Sequence, residues 1–219
     1  MKINIDFRLI DVSMELHALA DHYDLIEKQI SLLSQAERKA LDEYREKEKL
    51  TPDDGEWDLA RQECDHKVEV LLPRFFWGPF VVSLYAVLET SITEIARLIQ
   101  QTQKQEIAMD DLRGDFLERT KKYYKHILKF ELPGDKNAWE RVDNLVQVRH
   151  AIGHANGRLD MLKEKAKVRI AALEKRKVGI SSYYNYLLVD SSFAKTSLST
   201  VRSLLDDLVA RYKAWDTKQ

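Results

Sequence analysis

An all-α fold is what this sequence predicts, and three features predict it. Gly (7) and Pro (4) are scarce in 219 residues while 32% are charged, a balance that favours long helices with solvated outer faces over strands joined by tight turns. Apolar residues recur at spacings of three and four along most of the chain. Only one stretch, VGISSYYNYLLVD, is rich in β-formers, and it predicts a short β-hairpin near 180–189. A hydrophobic fraction of 44% suits a globular chain with a sizeable core. The expected architecture is therefore a helical bundle over 75–219, preceded by a long helical extension over 1–74, together one compact unit.

The first helix is expected from Ser13 to Lys49. Leu16, Leu19, Tyr23, Ile26, Ile30, Leu33, Ala40 and Tyr44 form a heptad seam, with Glu37 as its one polar break. Such a seam packs along the following helix or serves as an arm for dimerisation or partner binding. TPDDGEWD ends it, and Asp53 with Glu56 resembles a capping box for a second helix reaching about Leu72. In PRFFWGPF, the residues Pro73, Gly78 and Pro79 predict a kink or short turn. FVVSLYAVLETSITEIARLIQ is apolar nearly all round and predicts a buried central helix, with Glu89 in its middle.

A further helix is expected over Asp115–Lys129, then a loop, ELPGDKN. Asn137 and Glu140 suit the cap of the next helix, Asn137–Asn156, which Asn156 and Gly157 should stop because both tolerate the left-handed conformation. A charged helix over Leu159–Lys177, the hairpin, and an amphipathic helix over Ser192–Trp215 complete the chain.

Composition narrows the function classes. A formal net charge of −1 supplies no global field for RNA or DNA, so any nucleic-acid contact has to come from a local patch. Cys64 is the single cysteine, which excludes an intrachain disulfide framework and fits a reducing, cytoplasmic setting. MKINIDFRLIDVSMELH mixes acids with its apolar residues and is not expected to be a signal peptide. No run approaches 18 uncharged apolar residues, so no membrane span is expected.

The densest chemistry lies in QVRHAIGHANGRL, Gln147 to Leu159. On a helical wheel Val142, Leu145, Val146, Ile152 and Gly153 share one face, and Arg149 falls inside that stripe. Asp143, Gln147, His150 and His154 form a row beside it. An arginine on a core-facing stripe requires an acidic partner, for which Glu89 is a candidate, or a functional anion. The guanidinium fork suits a phosphate oxygen. His154 is expected in the last turn, where the helix dipole would raise its pKa and a neighbouring arginine would oppose that. A histidine poised near neutrality suits general acid–base chemistry. Gly153 would leave room for a ligand or a partner helix to approach the backbone. Together these residues would support RNA cleavage, with the histidine deprotonating a ribose 2′-hydroxyl or protonating the leaving 5′-oxygen.

In this context the residues resemble the HEPN superfamily, whose ribonuclease members carry an arginine, four to six residues, then a histidine near the end of a bundle helix. RHAIGH supplies Arg149 and His154 in those places, and YAVLETSITEIA, DFLERTKKYYKHIL and WERVDNLVQVRHAIGHANG are similar in order. The likeness covers roughly Phe80 to Trp215 and implies a HEPN-like bundle acting as a metal-independent endoribonuclease. It also implies a homodimer with two such motifs facing one cleft, and a role as a toxin or in phage defence with an antitoxin or other protein partner. His150 stands where the family often has asparagine, and Asn156 stands where some toxins carry a tyrosine that an antitoxin modifies. His150, Asn156, Gly153 and Glu89 are thus supporting or substrate-binding candidates around Arg149 and His154.

Competing readings stay open. His150 and His154 have the HxxxH spacing of a metal pair, but no third ligand has matching spacing, and neither a metal nor a cofactor is expected. Arg61 with His66 repeats the arginine–histidine spacing, and Arg119 with His126 comes near it; both pairs read as chance pairs on solvated faces, and His17 and His22 as surface residues. The basic run Arg158–Lys177 and RTKKYYKHILK, with Tyr123 and Tyr124 as stacking candidates, suit RNA capture or are solvated charge. The alternative function is a non-catalytic binding or assembly module, with Arg149 in a structural ion pair and the N-terminal helices gripping a partner.

Overall fold

The computed structural model describes residues 7–218. The leader reading begins in residues 1–6, which lie outside the described residues. The fold is all-α with one hairpin: α1 (Phe7–Glu48), α2 (Gly55–His66), α3 (Leu72–Gln103), α4 (Phe116–Lys122), α5 (Lys136–Ala155), α6 (Glu164–Lys175), β1 (Ile180–Tyr183), β2 (Tyr186–Val189) and α7 (Ser191–Asp216). The strands pair antiparallel, Ile180 opposite Val189 and Tyr183 opposite Tyr186, around the turn Tyr184–Asn185.

Two compact units emerge. Among the described residues, one takes 7–20, 83–146 and 196–218, and the other 21–82 and 147–195. In the first, Leu84, Leu88, Ile92, Ile95 and Ile99 make the buried face of α3, a helical repeat of three and four. Tyr123 and Tyr124 are 1% and 0% exposed, and their hydroxyls donate to the carbonyls of Ile107 and Ile92, both at 2.7 Å. Both therefore belong to the core and not to a stacking surface for bases. A π-helical turn, Tyr123–Ile127, carries them, and Leu128 N–H returns to the Tyr123 carbonyl.

In the second unit Tyr23, Trp77 and Phe80 pack at ring distances of 5.1 to 6.0 Å. The Tyr23 hydroxyl donates to Glu27 at 2.7 Å. Beyond Ile26 the α1 seam loosens: Ile30, Leu33 and Tyr44 are half-buried and Ala40 is exposed. Polar links join α1 to α2 and the turn after it instead. Arg38 reaches Asp65 and Glu69, Lys67 reaches Glu37, and Tyr44 donates to Glu56. The seam thus ends in a charged two-helix arm.

Three local expectations are corrected. PRFFWGPF does not break the helix: α2 passes through a π-helical turn, Lys67–Leu71, straight into α3. Pro73 follows just after the π-helical turn within this continuous helix. Pro79 lies inside α3 on its exposed side, while Trp77, Phe80 and Val81 are buried. Burial of such side chains is worth about 1.5–3 kcal/mol each, which together outweighs the ~3 kcal/mol cost of an interior proline. Asp53 and Glu56 do not form a capping box either. Asp54 holds the N-cap, but its carboxylate turns back to accept from the Thr51 amide and hydroxyl, which lowers its pKa. For α5 the cap is Asp135, not Asn137, since its carboxylate accepts the Ala138 N–H at 2.8 Å.

One window within Gly55–Gln103 has a mean hydropathy of 1.5, enough by length and composition to cross a membrane. Its residues Phe80, Val81, Leu84, Leu88 and Ile92 are buried in the fold, which makes it compatible with the core helix of a soluble protein.

Burial raises the pKa of Tyr23, Tyr123 and Tyr124. A raised phenol stabilises the fold in full below the unfolded value of about 10, and that contribution is lost as the pH climbs beyond it. Stability is therefore expected to fall steeply above about pH 10. In an alkaline titration part of the tyrosinate absorbance should appear only together with loss of helical circular dichroism, and complete tyrosinate formation before helix loss would contradict these burials.

Candidate functional site

The last turns of α5 hold the candidate residues, and the buried row beneath them is Val148, Ala151 and Ala155. Ile152 lies 3.7 Å from where a Cβ on Gly78 would stand, an ordinary van der Waals distance, so the start of α3 packs beside this end of α5. Arg149 and His150 are half-buried at the edge of the row, and Gly153, His154 and Asn156 are exposed. The His150 and His154 rings lie 5.6 Å apart at 57°. The helix end thus carries two imidazoles in one row, with the half-buried guanidinium of Arg149 roughly 140° round the helix from His154.

Gly153 departs from the apolar stripe expected of it. The buried row runs through the small residues Ala151 and Ala155, and a Cβ on Gly153 would meet nothing within 4 Å. Gly153→Ala is therefore expected to raise stability by roughly 0.5–1 kcal/mol, the gain for alanine over glycine within a helix. A thermal melt checks this, and a lower melting temperature would mean that Gly153 is enclosed in solution. Glu89 lies half-buried on α3, among the residues of the first unit, and its carbonyl accepts the Thr93 hydroxyl at 2.7 Å.

The stop signal forms as expected. Asn156 and Gly157 both adopt positive φ, 49° and 74°, and the Gly157 N–H returns to the Ala151 carbonyl at 3.0 Å. The chain then joins the hairpin edge. Leu187 N–H donates to the Gly157 carbonyl at 2.8 Å, Leu159 N–H donates to the Asn185 carbonyl at 2.7 Å, and Arg158 bridges Tyr186. The hairpin therefore anchors the loop that follows His154.

Arg74 completes the helix end, and the sequence reading missed it. Its guanidinium donates to the Asn156 carbonyl at 2.8 Å and stacks over the Tyr186 ring at 4.0 Å. A cation is favoured at the C-terminal end of a helix, whose partial negative charge would otherwise repel an anion. The available signal was a lone arginine inside the apolar LLPRFFWGPF, which demands a specific partner.

Other expected pairs are not assembled as sites. Arg61 and His66 are both exposed on α2, and Arg119 is bound to Asp110 at 3.1 Å while His126 is exposed. His17 and His22 are exposed as well. Among the described residues no three His, Cys, Asp or Glu side chains converge to hold a metal ion. In the basic run after the motif, Arg158 is paired with Asp160 at 2.6 Å, which raises the arginine and lowers the aspartate. Lys163, Lys165, Arg169, Lys175, Arg176 and Lys177 are exposed, while Ile170 and Leu173 anchor α6 inward. No protein-family profile, curated protein or solved structure matches the chain.

Proposed function

We propose that the chain is a metal-independent endoribonuclease of the HEPN type, acting through Arg149 and His154 at the end of α5. The observation that carries this reading is the grouping of an exposed His154, the adjacent His150 ring 5.6 Å away, and a half-buried Arg149 on one anchored helix end. His154 removes the proton from a ribose 2′-hydroxyl, whose oxygen attacks the adjacent phosphorus. The bond to the 5′-oxygen breaks, and that oxygen takes up a proton. Arg149 binds the phosphate and offsets the charge that builds on its oxygens. His150, Asn156 and Gly153 support substrate contact. The exposed lysines and arginines of α6 contribute salt-sensitive RNA contacts. The active form is a cytoplasmic homodimer in which two motifs share a cleft, held in check by a separate protein in a toxin or phage-defence role.

The test is incubation of the purified protein with varied single-stranded RNAs, followed by mapping of the ends. The expected products carry a 2′,3′-cyclic phosphate and a 5′-hydroxyl. Uncut RNA throughout would favour a second reading, a non-catalytic binding module. That reading draws on the α1–α2 arm, where Leu41, Leu59, Ala60 and Tyr44 line a cleft of about 500 Å³.

A further inference from the structure

A second site lies in residues 121–139, none of which belongs to the candidate site on α5. Here α4, the π-helical turn and the loop before α5 enclose a cleft of about 670 Å³, within the size range of small-molecule sites. Lys129 takes a left-handed turn (φ 49°), and Phe130 N–H then returns to the Tyr124 carbonyl at 2.9 Å. This lays Phe130 edge-on to Tyr124 at 6.1 Å and carries Leu132 across the floor. Trp139 faces the same space. Its indole N–H donates to the Pro133 carbonyl at 3.0 Å, and the Lys121 ammonium sits 5.0 Å from its ring.

Two properties define what this cleft accepts. Its floor is apolar, because the polar handles on it are already used: the Tyr124 hydroxyl on Ile92 and the Trp139 N–H on Pro133. A sugar or a nucleobase would find no partner there for its hydrogen-bonding edge, and desolvating that edge is costly. The mouth is cationic. Lys121, Lys125 and Lys129 follow one another at intervals of four, all exposed, against the single carboxylate of Glu131. Charge and shape together therefore select an apolar body ending in one negative group.

We propose that this cleft binds an amphiphilic organic anion, a medium-chain fatty carboxylate, with its chain against Phe130, Leu132 and Trp139 and its head among the three lysines. The site is independent of RNA cleavage and stands or falls apart from it.

Titration calorimetry of the full chain tests the proposal with decanoate, 1-decanol and decyltrimethylammonium as probes. Decanoate is expected to bind saturably. The alcohol, which lacks the charge, is expected to bind about tenfold more weakly, and the cation not at all. Lys125→Glu/Lys129→Glu reverses two exposed charges without touching the core, and should weaken decanoate by about tenfold or more. Leu132→Trp should block the cleft while leaving the helical circular dichroism unchanged. Absent or non-saturating decanoate binding overturns the proposal. So does equal affinity for the acid and the alcohol, or undiminished binding in both variants.

Discussion

His154→Ala is expected to lower the rate of RNA cleavage by about 10²–10⁴-fold, the usual contribution of a positioned general acid or base. The same substitution should leave the melting temperature almost unchanged. His154 is exposed in the last turn of α5, and such surface positions alter stability by only about ±0.5 kcal/mol. The two readouts therefore separate chemistry from folding. Expression of the wild-type chain should slow the growth of a bacterial host, and His154→Ala should relieve that. Unrelieved growth arrest, or an undiminished rate, would remove this histidine from the mechanism.

Tyr124→Ala carries the largest stability effect, a loss of roughly 3–5 kcal/mol. The side chain is fully buried, its hydroxyl holds the Ile92 carbonyl on α3, and its ring meets Phe130. Truncation leaves a cavity the size of an aromatic ring and removes the added bond to the Ile92 carbonyl, which keeps its helical partner within α3. Tyr124→Phe divides that loss, since it keeps the packing and removes only the hydrogen bond, at about 0.5–1.5 kcal/mol. Chemical denaturation of the three proteins measures both quantities. A Tyr124→Ala loss below that of Tyr124→Phe would contradict the packing described.

Much of the fold was legible because apolar periodicity and turn residues act locally. The α3 repeat, the hairpin in ISSYYNYLLV and the Asn156–Gly157 stop all follow from residues near in sequence. The helix through PRFFWGPF was not legible, because local proline penalties lose there to burial of Trp77, Phe80 and Val81 by distant partners. The caps went astray by a position or two: Asp54 and Asp135 were passed over for Asp53 and Asn137, all residue types suited to the role. On α5 the wheel gave the His150–His154 row correctly. It misplaced Gly153 because alanines 151 and 155 were not weighed as core. Arg74 was hidden for another reason, since its bond to Asn156 spans 82 residues of chain.

The measurement that tests the central claim most directly is single-turnover RNA cleavage in a strong chelator by three proteins: wild type, Arg149→Ala and His154→Ala. Cleavage that persists in the chelator with the wild type and falls at least about 10²-fold in both variants is the predicted result. Cleavage that stops with the chelator, or that proceeds equally in all three proteins, would contradict it.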